Sequence, residues 1–134
     1  MMKYKSLVLA VSALLFTVSC SQKELTPEEA ASQAAQEYYN RLIAGDYEAF
    51  LAGRIATDSL PDDYRRQLLN GYRLYHAELQ KTHGGITGVT VSNARHDSAQ
   101  NLMQTFLLLS FNDSTQEEII VPMVQNDNGE WKMR

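Results

Sequence analysis

Residues 102–125 read LMQTFLLLSFNDSTQEEIIVPMVQ, two apolar runs divided by a polar break. Leu102 to Asn112 and Glu117 to Gln125 carry the aromatic and branched side chains that suit a pleated surface, and Asp113 to Gln116 is a turn. So short a connection joins strands antiparallel. Reading outward, an earlier strand, Ile86 to Arg95, follows the helix-breaking pair Gly84-Gly85, and a last one covers Glu130 to Met133. Polar turns at His96 to Gln100 and Asn126 to Gly129 complete an antiparallel meander. In the central strand one face is Met103, Thr105, Leu107, Leu109 and Phe111, and the other is Leu102, Gln104, Phe106, Leu108 and Ser110. A sheet with one wet face alternates apolar and polar residues. Here both faces are apolar, so both are expected to be covered, the outer one by a second copy of the chain.

Upstream the period changes from two to 3.6. Thr26-Pro27-Glu28-Glu29 opens a helix, with Thr26 as cap, Pro27 in the first position and Glu29 completing a capping box. The helix is predicted over Pro27 to about Ala44, with Ala30, Ala34, Tyr38 and Leu42 on one apolar face beside Ala31, Ala35 and Tyr39. Gly45 stops it, and Asp46 caps a short second helix through Tyr47, Phe50 and Leu51. Gly53 to Pro61 reads as loop. A third helix follows from Asp62 to about Thr82, with Tyr64, Leu68, Tyr72, Tyr75 and Leu79 at spacings of three and four. Helices first and a meander afterwards make an α+β fold, the N-terminal helices packed on a curved antiparallel sheet.

At the N-terminus Lys3 and Lys5 precede an apolar run, Leu7 to Val18, of about 12 residues. As a helix it spans ~18 Å, short of the ~30 Å hydrocarbon core, so it reads as a secretory signal and not a permanent span. The junction Val18-Ser19-Cys20 resembles the lipobox of bacterial lipoproteins, with Thr17 where Leu is commoner. That resemblance implies cleavage before Cys20 and a lipid on its sulfur, hence a signal over 1–19, a lipidated tether over 20–25 and one domain over 26–134. Two or three acyl chains hold a protein to a membrane where one does so only marginally. The tether, at most ~17 Å long, keeps the domain near the bilayer. Ser21, where Asp marks inner-membrane retention in lipoproteins of enteric type, implies the outer membrane, with the domain facing the periplasm.

Charge and cysteine content exclude several classes. Without residues 1–19 the chain has ten Lys and Arg against sixteen Asp and Glu, a net charge of −6. That disfavours nucleic acid as a partner. Cys20 is the one cysteine, which excludes a disulfide and a cysteine-based metal or redox site. His76 and His83, seven residues apart on a helix, lie ~10.5 Å apart along its axis, too far to share a metal. Gly84 to Gly88 follows a helix instead of opening one, so it is not a phosphate loop. No metal or cofactor is expected, and His96-Asp97 reads as turn chemistry.

The order of elements is similar to the nuclear transport factor 2-like superfamily, a cone-shaped, cystatin-like α+β fold that includes ketosteroid isomerase and SnoaL-like cyclases. Tyr38-Tyr39-Asn40-Arg41-Leu42, the Gly45-Asp46-Tyr47 turn and the strand Gly129-Glu130-Trp131-Lys132 carry the resemblance. It departs at Gly53 to Pro61, where members usually have a strand. Within the superfamily the chain is most similar to small bacterial lipoproteins. The resemblance implies a cone between helix and sheet, with members often pairing through the outer sheet face. The residues placed to line the cone are Tyr38, Leu42, Tyr72, His76, Phe106, Met123 and Trp131. Neither face of the central strand offers an acid or base, so no catalytic residue is expected, and a small apolar ligand or a protein partner is. The alternative is an isomerase-like or cyclase-like enzyme using His76 or Asp46 with a tyrosine.

Overall fold

The computed structural model describes residues 24–134, so the signal, Cys20 and the first part of the tether lie outside the described residues. The elements follow in the order expected: helices α1 (Pro27–Ile43), α2 (Tyr47–Ala52) and α3 (Asp62–His83), then strands β1 (Ile86–Asp97), β2 (Leu102–Phe111), β3 (Gln116–Gln125) and β4 (Trp131–Met133). The strands form one curved antiparallel sheet in the order β1-β2-β3-β4.

The start of α1 forms as its sequence dictates. Thr26 accepts from the Glu29 amide at 3.1 Å, and Glu29 Oε1 accepts from the Thr26 amide at 3.1 Å. Such a cap stabilises a helix by about 1 kcal/mol, and here it fixes where α1 meets the sheet. Ala31, Ala35 and Leu42 are buried in the core, which the small residues allow by letting α1 lie close over all four strands. Gln36 adds a tie across the interface, donating to the Val89 carbonyl at 2.8 Å.

Register settles which face of β2 turns inward. Met103 pairs with Met123, Thr105 with Val121 and Leu107 with Ile119, while β1 brings Val89 opposite Leu109 and His96 opposite Met103. Met103, Leu107, Leu109, Val121, Met123 and Met133 are buried beneath α1. Thr105, fully buried among them, donates its hydroxyl to the Val121 carbonyl at 2.7 Å. The opposite face keeps Phe106 half-buried with the Arg95 guanidinium 5.6 Å above its ring, and Ile120 57% exposed. Side chains of the neighbouring strands thus lean over part of this face.

Two departures from the sequence reading are local. Gly53 to Pro61 contributes neither plain loop nor full strand: Arg54 forms a single parallel bridge with Met133, and Thr57–Ser59 is a 3-10 turn. Gly53 stands so close to Tyr38 that a Cβ there would meet the ring at 2.5 Å. The other departure is that β1 runs on through His96 to Asp97 with a register shift between Val91 and Asn93. A bulge of this kind resets which side chains face the core.

A polar latch holds the end of α3. His83 Nδ1 lies 2.8 Å from Asp113 Oδ2 in the β2–β3 turn, its ring stacks on Phe111 at 4.3 Å, and the Asp113 amide donates to the His83 carbonyl. Hydrogen bonds from the Thr115 side chain, then from His83 and the Thr115 amide, pull the Asp113 carboxyl down to about 2 from its ordinary 3.8. The folded state therefore favours the carboxylate. Its stabilising contribution is complete above the ordinary value and drains away as pH falls through the depressed one. Between pH 3.8 and about 2, then, part of the acid loss of thermal stability should disappear in Asp113→Asn. Parallel melting curves for the two proteins across that window would contradict this.

Candidate functional site

A cleft of about 710 Å³ lies at the end of the sheet beneath the start of α1. Four structural features converge on it. The capping box places Pro27 and Glu28 on one side. The β1–β2 hairpin supplies His96, Asn101, Leu102 and Met103, its turn held by Asp97, which accepts from the Ala99 and Gln100 amides at 3.0 and 3.2 Å. From β3 come Met123, Val124 and Gln125. Trp131 of β4 completes the wall, its carbonyl accepting from the Tyr38 hydroxyl at 2.7 Å.

The lining divides by chemistry. Met103 and Met123 are 2% and 0% exposed and form an apolar floor, with Leu102, Val124 and Trp131 around it. Thioethers and an indole adapt to varied apolar shapes. Glu28, His96, Asn101 and Gln125 form the polar part of the lining. His96 is exposed and Glu28 half-buried, so neither is shut away from water.

Of the seven residues assigned to one pocket, the structure brings two together here, Met123 and Trp131. Tyr38 supports the site from behind through its bond to the Trp131 carbonyl. Leu42, 1% exposed, is core and lines no opening of this cleft. Phe106 is on the opposite face of the sheet, paired with Ile120 under Arg95. Tyr72 belongs to a smaller cleft of about 200 Å³, where Arg54 donates to its hydroxyl at 3.3 Å and its ring meets Phe50 edge-on at 4.8 Å. His76 sits between α2 and α3, its Nδ1 2.9 Å from the Tyr47 hydroxyl. Asp46 caps α2 by accepting from the Ala49 amide at 3.1 Å. The single pocket expected from the sequence is therefore several separate places.

Three of the tyrosines are held in the phenol form. Burial, then the neighbouring Tyr75 and Tyr72, pushes Tyr39 up to about 12. Burial also raises Tyr38, aided by Glu130, and Tyr75, aided by Glu117. These phenols stay protonated at physiological pH, and Tyr38 uses its proton to donate to the Trp131 carbonyl. Among the described residues no three His, Cys, Asp or Glu are grouped to hold a metal ion, and no helix is long and apolar enough to cross a membrane.

Eight of the ten lining residues were not placed in a pocket by sequence reasoning, His96 and Glu28 among them. Asp97 does make the turn, but its neighbour His96 is the penultimate residue of β1, opposite Met103. The available signal was the alternation of Ala94 and His96 on one face, hidden by the bulge at Ser92.

No family model matches the sequence, and no curated protein matches it. The crystal structure of a Campylobacter jejuni protein described as a "Putative NTF2-like transpeptidase" superposes with a TM-score of 0.60 at 12% identity, covering 75% of this chain and 94% of that one. The domain has the nuclear transport factor 2-like fold. At such identity the likeness extends to the architecture alone. In this nuclear transport factor 2-like domain the segment between α2 and α3 carries the Arg54–Met133 bridge and the 3-10 turn Thr57–Ser59.

Proposed function

We propose that the chain is a lipid-anchored envelope protein whose nuclear transport factor 2-like domain binds a small apolar or amphipathic molecule in the cleft under α1 and releases it unchanged. The observation that carries this reading is the separation of apolar depth from polar rim. Among the described residues the buried polar side chains are Ser32 and Thr105, neither a general acid nor base. Proton-transfer enzymes hold such a group shielded, with its pKa tuned to the task. A volume of about 710 Å³ suits a drug-sized ligand.

The anchor is supported by Val18-Ser19-Cys20 and by the helix cap at Thr26, six residues later. The same reading places the protein in the cell envelope, at the outer membrane. It also includes pairing of two copies through the outer sheet face, favoured by the exposed Ile120 beside Phe106. Sedimentation of the lipid-free chain as a monomer at high micromolar concentration would remove the support for pairing.

The binding claim is tested with the one tryptophan, Trp131, as reporter. An uncharged alkyl glycoside should change its emission saturably, and Met123→Ala should weaken binding by about tenfold, the effect of 1.4 kcal/mol. Phe106→Ala, on the other face, should leave binding unchanged. An enzyme reading would now rest on Glu28 and His96, the acid and base that line the cleft. If an incubated ligand were recovered chemically altered and His96→Ala stopped the change, binding without turnover would be the wrong conclusion.

A further inference from the structure

The composition of the rim narrows the ligand further, in an inference that rests on the cleft being a binding site. Glu28 is the one lining residue that is a carboxylate, and no Lys or Arg lines the cleft. Arg134 reaches the nearby hairpin, donating to Gln100 Oε1 at 3.4 Å, but it is not part of the lining. An anion entering this cleft meets a like charge with no Lys or Arg beside it, His96 being the one imidazole in the lining. A cation meets Glu28 and Trp131, both in the lining, and an indole attracts positive charge through its quadrupole. The acidic balance of the whole chain adds in the same direction by concentrating cations near the surface.

Glu28 also has a structural reason to be acidic, since it lies in the first turn of α1, where negative charge is favoured. That role leaves the carboxylate at the rim of the cleft. Glu29, not Glu28, closes the capping box. Beneath the rim the floor of Met103 and Met123 takes an apolar body.

We propose that the cleft selects an amphiphile with a positively charged nitrogen head, the head between Glu28 and Trp131 and the apolar tail over Met103 and Met123. Position along the chain fits such a ligand. Glu28 is eight residues beyond Cys20, so with Cys20 in a bilayer the cleft lies at most ~28 Å from its surface, within reach of membrane-derived amphiphiles.

The test uses the full chain carrying Cys20→Ser and Trp131 emission, with dodecyl probes below their micelle concentrations: trimethylammonium, phosphocholine, sulfate and the uncharged maltoside. The ammonium probe should bind about tenfold or more tighter than the sulfate, the gap expected of one partly screened charge. Phosphocholine binding as the ammonium does would point to a phospholipid-like head, and its binding as the maltoside does to a simple amine. Glu28→Gln should bring ammonium and maltoside affinities together. Glu24→Gln, which removes an equal charge from the exposed segment before the helix, should preserve the preference. Sulfate binding as tightly as ammonium, or an ammonium preference that survives Glu28→Gln, overturns charge selection while leaving the cleft a binding site. A Trp131 signal unmoved by all four probes overturns the cleft reading, and this inference with it.

Discussion

Cys20→Ser should move the protein from the membrane fraction to the soluble one, the largest effect expected of any single substitution in this chain. On the proposed anchor, each acyl methylene buried in a bilayer would contribute about 0.8 kcal/mol, so two chains of ordinary length would hold the protein effectively without release, and loss of the sulfur would remove the attachment point. Intact-mass measurement of wild-type protein from its native membrane should show a chain beginning at Cys20 with lipid mass added. Wild-type protein found soluble with an unmodified Cys20 would refute the anchor.

Leu107→Ala carries the second large effect. Leu107 is fully buried at the centre of β2, between Val91 and Ile119 on the neighbouring strands, and belongs to the cluster on which α1 lies. Truncation there loses the transfer energy of three carbons and leaves a hole that close-packed neighbours refill only in part. A loss of about 2–5 kcal/mol is expected, and since 1 kcal/mol moves the midpoint of a domain this size by roughly 4 °C or more, thermal melting resolves it easily. Leu108→Ala, one residue on and facing outward, should cost clearly less because Leu108 is already half in solvent. Equal losses at the two positions would mean that the outer face is as well buried as the inner, as a tight dimer would make it.

Leu107 and Leu108 also mark where the sequence stopped being legible. Strand existence and order could be read, because turn residues separate strongly apolar runs. The inward face could not, since Phe106-Leu107-Leu108-Leu109 is apolar at every position and the period of two has nothing to alternate with. Phe106 was consequently placed in the cone, whereas it packs beneath Arg95 outside it. The helices were readable to within a residue or so at each end because Thr26, Asp46 and Gly84 carry caps whose chemistry is local. Tertiary placement was less accessible. His76 has the spacing of a pocket residue, but α3 leans on α2, so the imidazole meets Tyr47 instead of the sheet. His96 was hidden because a bulge cannot be recognised from alternation alone.

Methionine methyl resonances give the most direct measure of the central claim, that the cleft under α1 holds a small molecule. Among the described residues there are three methionines, and they divide cleanly: Met103 and Met123 line this cleft, whereas Met133 lines the smaller one beside Tyr72. Titrating dodecyl maltoside into methyl-labelled protein should shift the Met103 and Met123 signals together, with one saturation curve that matches Trp131 emission, and move Met133 far less. A ligand that binds while Met133 alone responds, or while all three stay still, would contradict it.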